Sequence, residues 1–246
     1  MQRRYAAGIL AVFALAVLTV SADDFWVKKD WKTWTANDCK KLLEDSPWAK
    51  RVLVQNETDL GHIPSATQEA SADKAAAGLN VGAGEINYIV QIRSAAPIKQ
   101  ALIRQQQITK GYEKMSDADK KAFDTQMEQM YSAPGDPIVV HVRYYGNRDQ
   151  LTMYLNNAWS SLPADTVPAD MIMITSNGAK VLPLTYVADS AGGPEFDLTF
   201  PRTAFGQGLK SFKLQIPSPA LGDFGSKKAT AEFKVDKLTF EGKPAF

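Results

Sequence analysis

The chain is poor in the residues from which covalent staples, metal centres and nucleophilic active sites are built. Cys39 is its only cysteine, and His62 and His141 are its only histidines. One thiol closes no internal disulfide, so packing must hold the fold, and the small disulfide-framework classes are excluded. Zinc takes three or four Cys, His or carboxylate ligands at close spacing, which these residues do not supply. No calcium-loop pattern occurs either, so no metal and no cofactor is expected. A Gly-x-Ser-x-Gly elbow is also missing. Basic clusters are absent, and with them the electrostatic term on which nucleic-acid binding rests.

Long apolar runs are equally scarce, with one exception at the N-terminus. Arg3 and Arg4 precede an apolar stretch from Ala6 to Leu18, and small residues at Val20-Ser21-Ala22 are followed by Asp23-Asp24. This order of charge, apolar stretch and small residues is that of a secretory signal peptide ending at residue 22. The stretch is shorter than the ~20 residues that span a bilayer comfortably, although an uncleaved anchor is the alternative. Cleavage leaves no transmembrane span and a periplasmic or secreted protein. No cysteine follows the cut, as a lipid anchor would require. The 28 basic residues less those two arginines leave 26 against 27 acidic ones. That near-neutral balance also argues against an anionic membrane surface as partner.

What the sequence has in quantity is tryptophan near its start. Trp26, Trp31, Trp34 and Trp48 are four of the five in the chain. Between them the spacing predicts a helix over 36–45: Thr35 as N-cap, Asp38 as its capping-box partner, and Cys39, Leu42 and Leu43 on one face. Pro47 disfavours helical geometry at Ser46 and ends it. Trp31 and Trp34 are expected to join Leu42 and Leu43 as the apolar underside of this element. The rival reading is that these indoles are exposed to stack on a ligand or to anchor a partner. Cys39, although next to Lys40 and Lys41, falls on the apolar face and is expected to be an inert small hydrophobe.

The rest of the chain reads as one α+β domain over 51–246, onto which the Trp-rich 23–50 segment packs. The expected architecture is a mixed, mainly antiparallel sheet with two or three packed helices. Strands are expected at 51–55, at 86–92 with one face buried, and at 138–145. A helix with Pro97 in its first turn is expected next, another should start at Ser116 and carry Phe123, Met127, Met130 and Tyr131, and 151–159 leans towards helix. Further short strands are expected at 171–175 and 180–187, joined by a turn at Ser176-Asn177-Gly178-Ala179, and then at 196–200, 212–216 and 233–240. The Ala-, Ser- and Gly-rich 62–84 stretch reads as a flexible loop. Gly78, Gly82 and Gly84 lie within it but lead into a strand, unlike a phosphate loop, which opens a helix.

Candidates for chemistry are few. His62 borders the flexible loop. His141 lies in mid-strand on the face opposite Ile138, Val140 and Val142, sharing its side with Val139, Arg143 and Tyr145. Three readings of function stay open. A non-enzymatic binding or envelope-assembly module, with an envelope or secreted protein as partner, would show an exposed aromatic patch. A hydrolase of envelope or extracellular polymers would bring titratable side chains, His141 among them, together in a cleft. A carrier would hold an apolar ligand in a cavity of several hundred Å³.

Two segments carry a family likeness. The run Trp31-x-x-Trp34-x-x-x-Asp38-Cys39-x-Lys41-Leu42-Leu43-x-x-Ser46-Pro47-Trp48-Ala49 resembles the N-terminal signature of a family of exported, signal-peptide-bearing soil-bacterial proteins. The strand-to-helix stretch Ile92-Arg93-Ser94-Ala95-x-Pro97-Ile98-x-Gln100-Ala101 resembles that family's second signature, and Phe233–Phe240 with Glu241-Gly242-Lys243 is also similar. The resemblance implies an exported domain in which the Trp/Cys helix belongs to the fold. It brings no catalytic or binding residue with it.

Overall fold

A computed structural model describes residues 25–55, 84–132, 136–162, 170–206, 208–218 and 227–246. The expected signal peptide, the loop with His62, Gly78 and Gly82, and Pro163, Pro168 and Pro219 lie outside the described residues.

Alternation of apolar and polar side chains builds most of the architecture. β1 (Ala49–Gln55), β2 (Glu85–Ile92), β3 (Ile138–Gly146), β6 (Thr185–Ala188) and β7 (Glu195–Phe200) form a sheet in the order β1-β2-β3-β7-β6. β4 (Ile172–Thr175), β5 (Lys180–Val181), β8 (Ser211–Pro217) and β9 (Lys228–Lys234) form a second, ordered β5-β4-β8-β9. A short ribbon of β10 (Thr239–Phe240) and β11 (Lys243–Pro244) completes the set, and every described pairing is antiparallel. Among the described residues five α-helices accompany them: α1 (Phe25–Lys28), α2 (Ala36–Glu44), α3 (Ala96–Lys110), α4 (Asp117–Tyr131) and α5 (Asp149–Ser160). The class is the expected α+β. None of the described helices is long and apolar enough to cross a membrane.

Proline explains one departure of the strands from the sequence pattern. The expected 180–187 strand is cut at Pro183: β5 stays with β4, whereas β6 crosses to pair with β7. Pro183 has no N–H to give to a ladder, so neither sheet extends through it. A 3-10 turn at Val235–Lys237 likewise interrupts the expected 233–240 strand. The turn at 176–179 forms as expected, with Gly178 at φ 85°, a left-handed conformation that glycine adopts without a Cβ penalty.

The two faces of the first sheet meet different neighbours. One carries Ile86, Tyr88, Val90, Ile92, Val140, Val142, Tyr144, Phe196, Leu198 and Phe200, all buried in the common core with the second sheet's Phe212, Leu214, Ile216 and Phe233. α5 covers part of it through Trp159, whose ring lies 5.1 Å from Phe196 and 6.3 Å from Tyr144. The opposite face meets α2, where Gln91 Nε2 donates to the Leu43 carbonyl at 2.6 Å. β2 is therefore buried on both faces instead of one, and Ile89 is buried in agreement with its apolar identity.

α2 starts as the sequence indicates. Thr35 accepts from the Asp38 N–H, and the Asp38 side chain accepts from the Thr35 N–H. Burial alone would raise the Asp38 carboxyl, but its bonds to Thr35 and Lys29 outweigh this and hold it below the usual range. Cys39, Leu42 and Leu43 are buried together. Burial pushes the Cys39 thiol up to about 11, so at neutral pH little nucleophilic thiolate exists.

Candidate functional site

The four N-terminal tryptophans have different fates. Trp26, Trp34 and Trp48 are buried, while Trp31, expected on the underside of α2, is half-buried on a 3-10 turn at Trp31–Thr33. Trp48 donates Nε1–H to the Ala245 carbonyl at 2.7 Å and meets Trp26 and Phe240 edge-on. Trp34 donates to the Lys29 carbonyl at 3.3 Å, and its ring meets Phe25 edge-on at 5.6 Å. These three indoles tie the segment from Phe25 and the C-terminal residues to the core. Trp31 borders a recess between the helices.

That recess is a groove of about 690 Å³ between α3 and α4. Ile103 and Gln107 come from α3, Met127 and Tyr131 from α4, and Trp31 closes one side. The groove exists because α4 is apolar on only a narrow stripe. Of its side chains Met127 alone is buried, Phe123 and Tyr131 are half-buried, and Met130 is exposed. A stripe this thin cannot lay the helix flat on the core, so its apolar residues line a recess instead. The N-terminal half of α4 is nevertheless fixed. Ser116 caps it by accepting from the Asp119 N–H, and Tyr112 packs on Phe123 at 5.3 Å while donating to Asp124.

Arg104 holds the wall of the groove. Its Nε donates to the Trp34 carbonyl at 3.1 Å, and Nη1 reaches Gln107 and Glu113 at 3.2 and 3.1 Å. The guanidinium thus joins α3 to the N-terminal segment and to the turn that follows Gly111. Lys99, one turn into α3, lies where this groove meets a second, smaller cleft of about 330 Å³. Arg93, Ser94, Asp136, Val139 and Asp197 line that cleft, and Tyr131 and Ser132 are shared between the two recesses.

His141 lies behind the smaller cleft, in a polar patch made by strand register. Gln91, His141 and Asp197 stand opposite one another across β2, β3 and β7, with Ile89, Arg143 and Glu195 in the next row. His141 Nδ1 is 2.8 Å from Asp197 and Nε2 is 3.4 Å from Glu195. Both carboxylates only accept, so the two contacts are donated together by the protonated ring alone. Arg93 approaches Asp197 at 3.5 Å, and Arg143 and Arg51 both reach Glu44 of α2. The hydrogen bond from His141, aided by the nearby arginines, holds the Glu195 carboxyl below the usual range against its burial.

The ring is only 5% exposed, and both nitrogens face carboxylates of its own sheet. Among the described residues no group of three or more Cys, His, Asp and Glu is placed to hold a metal ion. Sequence reasoning placed His141 on the correct face but missed its partners, and it missed the groove altogether.

No protein-family model matches the chain, and no characterised protein or solved structure is similar to it.

Proposed function

We propose that the protein is an exported, non-enzymatic binding module that carries an apolar ligand in the groove between α3 and α4. The observation that carries this reading is the groove itself. Its volume of about 690 Å³ falls within the range usual for small-molecule sites, and Trp31, Ile103, Met127 and Tyr131 give it apolar and aromatic walls. Export is supported by the N-terminal charge, apolar run and small residues, and by the resemblance of the Trp/Cys signature to an exported family. The hydrolase reading loses its main candidate, because His141 is enclosed by Asp197 and Glu195.

The neutral apolar fluorophore N-phenyl-1-naphthylamine tests this. The protein should bind it saturably with a rise in fluorescence. Trp31→Ala and Ile103→Lys should each weaken binding roughly tenfold or more, a change of about 1.4 kcal/mol, with circular dichroism confirming the fold. Absence of saturable binding, or the parent's affinity retained in both variants, would contradict the groove as the ligand site.

A further inference from the structure

The smaller cleft adds a charged end to the apolar groove. Lys99 stands at their junction, and its ammonium makes no hydrogen bond or ion pair with any described residue. Arg93 Nε is buried without a hydrogen-bond partner, and its Nη1 contact with Asp197 is long at 3.5 Å. A guanidinium so loosely held, on a side chain 26% exposed, favours a ligand that supplies an acceptor.

The acidic residues of the cleft are already engaged. Asp197 is held by His141 at 2.8 Å, and Asp136 is held by Arg202, whose Nε lies 2.7 Å from its carboxylate. The cations that remain available to an incoming group are therefore Lys99 and Arg93. The cleft also opens at the start of α3, a 15-residue helix whose N-cap Ala95 has no side chain able to cap it. The positive end of that dipole adds to the same field. Tyr131 links the two recesses and lines the smaller cleft together with Arg93.

We propose that the ligand is amphipathic, with an anionic head, carboxylate or phosphate, seated between Lys99 and Arg93 and an alkyl or aromatic body lying along Ile103, Met127 and Trp31. This rests on the groove reading and extends it by naming the ligand's charge and orientation.

Decan-1-ol, decanoate and decyl phosphate, each titrated into the protein by calorimetry, separate the two claims. The alcohol probes the groove alone, and the anions probe the head site. At least one anion should bind roughly tenfold tighter than the alcohol, and the tighter of the two tells carboxylate from phosphate. In Lys99→Met, which keeps the length of the stem, the ratio of anion to alcohol affinity should fall close to one, and Lys99→Arg should restore it. Equal binding of alcohol and anions, or a ratio unchanged in Lys99→Met, overturns the head site and leaves the groove standing. No binding of any of the three overturns both.

Discussion

Trp48→Ala is expected to lower the unfolding free energy by about 3–5 kcal/mol, the range for truncating a buried tryptophan. A chemical-denaturation curve would read this as a large drop in midpoint. Trp48 is fully buried, and its ring meets Trp26 at 6.0 Å and Phe240 at 6.2 Å. Its loss leaves a cavity where Trp26 meets the C-terminal residues Phe240 and Ala245. It also orphans the Ala245 carbonyl, which accepts from the indole at 2.7 Å. With Cys39 the only cysteine, no disulfide compensates. A midpoint within error of the parent would mean that the aromatic start contributes little to the fold.

Replacing His141 by leucine should cost about 1–2 kcal/mol at neutral pH, below the 3–5 usual for breaking a buried pair because the two carboxylates are partly exposed. The pH dependence is the more specific readout. Glu195 is held below its ordinary range when folded, so it contributes stability above its unfolded value, and that stability is lost as pH falls through the lowered folded value. In the parent this gives an acid limb below the ordinary carboxylate range. In His141→Leu the largest cause of the shift is gone, so that limb should flatten. An identical acid limb in both proteins would show that the His141–Glu195 contact does not operate in solution.

How much of this was legible beforehand depends on the range of the interactions. The α2 cap needed only Thr35 and Asp38, three residues apart, and was readable. So was the 138–145 strand, whose alternation is local. The His141 cluster was not, because Asp197 and Glu195 are more than 50 positions away and become partners only through the β3–β7 register. The groove was hidden for another reason. Phe123, Met127 and Tyr131 recur at helical spacing, which marks an apolar face but does not say whether that face meets a core or a recess. One clue was present: the stripe is too narrow for a helix of 15 residues to be buried along its length. Pro183 carried the sheet switch in plain view, but the pattern on either side of it fitted one strand equally well.

The division of labour among the indoles offers the most direct check on the whole picture. Of the five tryptophans, Trp26, Trp34, Trp48 and Trp159 are buried in the core and Trp31 borders the groove. A proton–nitrogen correlation spectrum of the indole N–H groups, followed while decan-1-ol is added, separates them. The Trp31 resonance should move progressively to saturation and by more than the other four. A Trp31 signal that stays in place while a core indole moves would contradict the groove as the binding site.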